Sequence, residues 1–446
     1  MTIISKITLG LILSFSCVSL SSLGQDQEDV LTFFGDIRPI IHTHCTPCHQ
    51  PGRSGPFDLI TYEDVAKRAD FISYVTAINY MPPWQADPTY QTFLNERIVP
   101  EEELEKLYTW IADGMLEGVE KKSNQSAPVS FGPNPYRKPD ASFSMTKPFD
   151  IPGDQTEEFR FFNIPTNLPE DTYVEAIEFI PGNKRYVHHS RVMADTTNEI
   201  RGIDGLSETD PKVYDYQTKP LSDEFMYGWV PGNFPVFYPP GTGKKLYANT
   251  DIILNMHYAP SSIDTTDQST INFYFNKDKV EREVYTLGLV ERHIVDKFFL
   301  IKANTRPSFR IEYKVDSDIS LISVQPHMHF LGQSFQAYAI TPDSTEIPLI
   351  KIPKWDFNWQ TTYQFKSLVK VPAGSTIIAH ASFDNTMSNP LNPYIPPRDV
   401  TYGWGTKDEM MNLIIYYINH KVGDEEIDLV KLRKEKFESG KPTGDH

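Results

Sequence analysis

Cys45-Thr46-Pro47-Cys48-His49 pairs two thiols about one helical turn apart with an imidazole directly after them. The C-x-x-C-H pattern is the attachment site of a c-type haem: the thiols add to the vinyl groups and the histidine binds the iron. The other readings are a zinc half-site or a thioredoxin-like pair. Zinc would need two more ligands at similar spacing, and no second cysteine pair exists. A thioredoxin pair would sit in a βαβ pattern, which is absent. Asn79-Tyr80-Met81-Pro82-Pro83-Trp84 carries a thioether in a loop stiffened by two prolines, and a thioether opposite imidazole on iron raises the reduction potential. Core packing is the other use for Met81, and Met115 is a competing thioether on a helix stripe. His42 and His44 read as solvated residues rather than ligands.

A second set of histidines lies further on, in Val187-His188-His189-Ser190, Leu254-Asn255-Met256-His257-Tyr258 and Pro326-His327-Met328-His329-Phe330. Neighbouring strand residues point to opposite faces, so His188 and His189 share an ion only across a bulge or through different ring nitrogens. The H-x-H spacing puts His327 and His329 on one strand face. Imidazole suits Zn, Cu, Fe and Ni, and an added thioether favours Cu(I). Taken singly, each histidine reads as a surface or core residue.

The elements that position these groups fall into distinct stretches. Residues 1–24 read as a secretory signal peptide: Lys6, an apolar run from Ile7 to Leu20, then Ser22-Leu23-Gly24. Cys17 would be lost with it; lipid attachment there, or a retained membrane anchor, is the lesser reading. Export to the periplasm or outside the cell fits c-type haem. Residues 25–120 read as helical. Asp36 caps a helix with Pro39 in its first turn, Thr61 to Ile78 forms a second helix, and Pro100 starts a third with Glu101, Glu102 and Glu103 in its first turn. This stretch resembles a cytochrome c domain, and the resemblance implies a second axial ligand to the haem, often a Met in a loop, a place that Met81 matches. Residues 121–139 read as a linker. Beyond them, alternation such as Tyr173-Val174-Glu175-Ala176-Ile177-Glu178-Phe179 and recurrent Pro-Gly turns predict strands. The expected fold is multidomain: a small all-α cytochrome c domain, then two antiparallel β-sandwich (jelly-roll-like) domains at 140–285 and 286–420. The β core is expected wholly after the linker. The charged tail, 421–446, reads as helical then frayed, without a role.

The ordered set also resembles the copper type II, ascorbate-dependent monooxygenases, the family of peptidylglycine α-hydroxylating monooxygenase and dopamine β-monooxygenase. It runs through His188-His189, Gly228-Trp229-Val230-Pro231-Gly232, Asn255-Met256-His257-Tyr258, His327-Met328-His329-Phe330-Leu331-Gly332 and Gly405-Thr406-Lys407-Asp408-Glu409-Met410. The resemblance implies two coppers. One, for electron transfer, matches His188, His189 and His257. The other, oxygen-activating and catalytic, matches His327, His329 and Met410, with Met411 and Met387 as competing thioethers. It implies hydroxylation of a C–H bond by O₂, with ascorbate or a redox protein as electron donor. Two departures stand out. The mature β region has no cysteine, whereas the animal enzymes carry disulfides. Gln325 stands where peptide-hydroxylating members hold a carboxylate with Arg, which argues against C-terminal glycine peptides as substrates. A small or peptide-like organic substrate remains unspecified. The adjacency of the two parts suggests that a c-type haem feeds the copper held by His188, His189 and His257. The alternative is a non-catalytic copper and haem protein for electron transfer or redox sensing.

Composition sets outer bounds. The chain has 446 residues, 39% of them hydrophobic and 13% aromatic, enough for two to three domains. A net charge of −17 argues against nucleic acid as a partner.

Overall fold

The computed structural model describes residues 30–439 apart from 52, 54, 121–136, 214–223, 232, 234 and 296. The expected leader, Cys17, most of the expected linker and Gly232 therefore lie outside the described residues. The chain is mostly antiparallel sheet with few helices. Among the described residues, no helix is long and apolar enough to cross a membrane.

The first helical turns begin earlier than Asp36. Thr32 is the N-cap, its hydroxyl accepting from Gly35 N, while Asp36 accepts from Thr32 N at 2.8 Å. A π-turn, Phe33–Ile37, then runs into the Arg38–His44 helix, with Pro39 in its first turn. The expected 61–78 helix is two helices, Tyr62–Ala66 and Ala69–Ala77, the first capped by Thr61 and Asp64 reciprocally. Pro100 is the N-cap of Glu101–Ala112. Phe33, Ile37, Ile41, Leu59, Val65, Ile72, Leu107 and Trp110 form one core among these helices.

Each β region has two main sheets. In the first, the sheet Glu158–Pro165, Asp251–Tyr258, Val187–Asp195, Glu224–Trp229 is ordered as written and antiparallel throughout. Its partner sheet is built around Thr172–Ile180 and Thr270–Phe275, and Val174, Ile177, Leu254, Ile271 and Phe273 lie in the core of this unit. In the second, Tyr285–Leu289, Asn412–Asn419, Ile319–His327 and Tyr363–Val371 form one sheet. Ser308–Lys314, Thr376–Phe383, Gly332–Ile340 and Glu346–Ile352 form the other.

The core of this second unit does not lie wholly after the linker. Ala86 and Phe93 belong to it, and Trp84 packs against it. Phe93 stacks on Phe365 at 5.6 Å, Asp87 N donates to Lys351 O at 2.8 Å, and Leu94 N donates to Gln364 O at 2.7 Å. Residues 84–94 thus leave the helical core and bind the β region, where Trp84 and Phe93 bury aromatic surface, before the chain returns to the helical core at Val99. The tail also has a place. The Leu429–Ser439 helix sets Leu429 and Leu432 against Ile322, Leu368, Ile414 and Ile418.

Candidate metal and haem centres

Cys45 and Cys48 are unpaired thiols at the end of the Arg38–His44 helix. His49 Nδ1 donates to Phe57 O at 3.0 Å, which leaves Nε2 as the ring's open donor. Gly55 makes room for this arrangement, since a Cβ there would meet Cys48 O at 2.7 Å and His49 Nδ1 at 2.8 Å. Burial pushes the Cys45 thiol up to about 12, so it is no free nucleophile. Cys45, Cys48, His49 and Met81 line one cavity of about 750 Å³, a size suited to a cofactor. The free thiols, the oriented imidazole and the methionine on the same cavity fit a covalent haem. His42 and His44 are half-buried rather than solvated: His42 Nε2 faces Ile60 O at 3.5 Å and His44 Nε2 meets Glu103 Oε2 at 2.8 Å. Met115 packs against the helical core.

His188, His189 and His257 converge. One ring nitrogen from each lies within 4.8 Å of the others. The pairing slips between Val187, opposite Tyr258, and His189, opposite His257, so His188 is the extra residue of a β-bulge. The bulge is what turns two sequential imidazoles toward one point. His189 Nδ1 and His257 Nδ1 are 3.3 Å apart, close to the roughly 3.3 Å expected of two nitrogens each about 2.0 Å from one tetrahedral ion. His188 Nδ1 and His257 Nε2 are buried without a hydrogen-bond partner. Burial holds all three imidazoles below their usual range, and therefore neutral and ready to ligate. Phe159 stacks flat on His257 at 4.1 Å and fixes its plane.

His327 and His329 have ring centroids 5.0 Å apart. They do not share a strand face, because the strand ends at His327. His329 is held instead by Glu409 and Asp408. Glu409 accepts from the backbone N–H of His329, Leu331 and Met410, and His329 Nδ1 donates to Asp408 O at 3.1 Å. This ties the Met410 backbone to that of His329. Met411 is consumed by the hydrophobic core and Met387 is exposed, whereas Met410 is buried with Asn412 Nδ2 3.5 Å from its sulfur. Both ring nitrogens of His327 have partners. Nδ1 meets Gln360 Oε1, and Nε2 faces Arg191 from the first β unit at 3.1 Å. Ligation through Nε2 requires Arg191 to turn away.

One loop, 353–362, reaches all five of these histidines. Phe357 has the rings of His189, His257 and His329 within 6.3 Å. Trp359 is 6.2 Å from His188 and lines the haem-sized cavity, as His188 does. Gln360 holds His327, and Asp356 O accepts from Gln85 Nε2 at 2.7 Å. Nothing in the loop's spacing announces this, and Arg191 was equally silent; Glu409 stood in the Asp408-Glu409-Met410 motif, but without its role. Gln325 is fully buried, its Oε1 accepting from Thr362 at 2.6 Å, with its amide packed against Gly228. In this arrangement it faces the joint between the β units.

Residues 302–431 match the family model described as copper type II ascorbate-dependent monooxygenase, C-terminal domain. The second β unit is similar to a copper monooxygenase domain. The matched span contains His327, His329 and Met410, and the family implies copper, O₂ and ascorbate. No curated protein matches the chain. Matched solved structures include VP2 of infectious bursal disease virus in its subviral particle, at 9% identity over 65% of this chain and 74% of that one, with a TM-score of 0.18. VP2 of the Gx strain gives 9%, 65%, 74% and 0.16. Scores this low carry no argument.

Proposed function

We propose that the chain is an exported copper monooxygenase that hydroxylates a C–H bond of an organic substrate with O₂ and carries its own electron-entry site. Cys45, Cys48, His49 and Met81 hold a c-type haem in a small cytochrome c-like domain. His188, His189 and His257 hold an electron-storing copper in a first β-sandwich. His327, His329 and Met410 hold the catalytic copper in a second. Bound there, haem and copper supply one-electron transfer and O₂ activation.

The protein's own part is positioning. Phe57 O and Gly55 orient His49; the bulge at His188 and the Phe159 ring orient the three-histidine cluster; Glu409 and Asp408 O orient His329. The observation that carries the reading is the shared cavity. Its wall includes Cys45, Cys48, His49 and Met81 on the helical side, and His188 and Trp359 on the β side. A haem attached at the thiols would therefore share its cavity with a ligand of the first copper. Export follows from the leader and from where c-type haem is attached. Ascorbate or a redox protein is the outside donor.

The alternative, a copper and haem protein for electron transfer or redox sensing, has one observation in its favour. Arg191 and Gln360 occupy His327 and Phe357 stands among the imidazoles, a closed arrangement. The test is haem and metal analysis followed by an untargeted product screen with reductant and O₂. One haem and two coppers per chain are expected, with O₂ uptake coupled to a hydroxylated product. Met81→Ala should remove the Fe–S charge-transfer absorbance in the red and lower the potential. His257→Ala and His329→Ala should each lose one copper, and a different one. Copper and haem without any oxygenated product would leave the electron-transfer reading standing.

A further inference from the structure

Arg97 is brought to the cavity wall by the segment that packs on the second β unit. Its guanidinium donates to Asn233 Oδ1 at 2.7 Å and lies 6.0 Å from the Trp359 ring. Asn233 is itself braced, its Nδ2 donating to Thr361 Oγ1 at 3.0 Å. Among the described residues, no carboxylate pairs with Arg97. The adjacent Glu96 is committed elsewhere, to Lys366 at 3.0 Å and to Phe93 N. Desolvation holds Arg97 below its usual range, the mark of a cation short of a counter-charge. Arg433, from the C-terminal helix, lines the same cavity and donates to Leu94 O at 3.4 Å; burial lowers it to about 10. A guanidinium set in a largely apolar wall is costly unless an anion meets it, and its fork matches a carboxylate.

We propose that this wall is a carboxylate-binding subsite, in which Arg97, with Arg433 beside it, receives the propionate edge of the haem and turns that edge toward Asn233, Trp359 and His188. The inference rests on the reading that Cys45 and Cys48 carry haem. Thioether bonds fix the opposite edge, so the two attachments together set the orientation of the ring. Arg97 is then a positioning residue that also offsets negative charge at the haem and favours the ferrous form.

The test uses full-length, haem-loaded protein and reads the haem midpoint potential by spectroelectrochemistry, without any turnover. Arg97→Gln should keep one covalent haem per chain and an unaltered melting temperature, and should lower the potential. Arg97→Lys should restore most of the loss, because it returns the charge. Besides the Cys45 and Cys48 thiols, which would be bonded to haem, the charged and titratable groups facing the same cavity are His44, His49, Tyr80, Glu96, His188 and Arg433, and all are unchanged in these variants. A potential that stays put in Arg97→Gln, or one lowered equally by Gln and Lys, would overturn the proposal. Wild-type protein without covalent haem would overturn the haem reading itself, a separate result from a silent Arg97 variant.

Discussion

Glu409→Ala removes one buried carboxylate and strands three buried backbone N–H groups, those of His329, Leu331 and Met410. Each stranded donor costs about 1–3 kcal/mol, or about 3–9 kcal/mol in all. Part of this is offset, because burial disfavours the charged carboxylate and pushes Glu409 up to about 8. A net loss of about 3–5 kcal/mol is the expected result, a large share of a domain's usual 5–15 kcal/mol. Glu409→Gln should cost less, about 1–3 kcal/mol. Its carbonyl oxygen still serves His329 and Met410, while its NH₂ turns against Leu331 N. Urea unfolding of the copper-free protein gives the ordering wild type, Gln, Ala by midpoint, and metal analysis gives the second readout. Both variants should weaken copper at His329 and Met410 while leaving copper at His188, His189 and His257. An Ala variant within about 0.5 kcal/mol of wild type, still binding two coppers, would refute the claim that Glu409 organises the second centre.

Three further outcomes follow from the packing. Gly228→Ala puts a Cβ 2.4 Å from Gln325 Nε2, so it should destabilise by about 1–3 kcal/mol, and Gln325→Ala should suppress that loss in a double-mutant cycle; strict additivity would argue against the contact. Phe93→Ala should cost about 3–5 kcal/mol, and a fragment beginning at Lys121 should expose the bared Phe365 and Tyr363 surface and bind a hydrophobic dye; a fragment as stable as the full chain would show that residues 84–97 are dispensable. The copper-free protein should lose stability on acidification. Burial depresses His188, His189, His257 and His327, and lowers His329 to about 3, so the unfolded chain takes up protons that the folded chain refuses as pH falls below about 6.5. A flat urea midpoint between pH 7.5 and 5.5 would contradict this.

Groups whose chemistry depends on local spacing were legible in the sequence. C-x-x-C-H needs nothing beyond five consecutive residues, and the His188-His189 pair announced its need for a bulge before the register slip at Val187 was visible. Strand alternation around 173–179 was readable because one face of Thr172–Ile180 is buried. The reading failed where an element stopped inside the pattern. H-x-H promised a shared strand face, but the strand ends at His327, and tertiary contacts with Asp408 and Glu409 set His329 instead. The apolar period from Thr61 to Ile78 continued across a break that only the backbone shows.

What the sequence determined by itself was the inventory: two thiols and a histidine in the C-x-x-C-H pattern, five imidazoles in three short segments, and several thioethers. Tertiary structure decided which of these groups meet. It gave Met411 to the core, placed His188 and Trp359 on the wall of the haem-sized cavity, and set Phe357, Gln360 and Arg191 among the histidines. It also drew Trp84, Ala86 and Phe93 out of the helical cluster and into the second β core. Most of these contacts join residues far apart in the chain, 33 positions for Gln360 and His327 and 136 for Arg191 and His327. They arise from burying apolar area and pairing buried polar groups, and neither leaves a period in the chain.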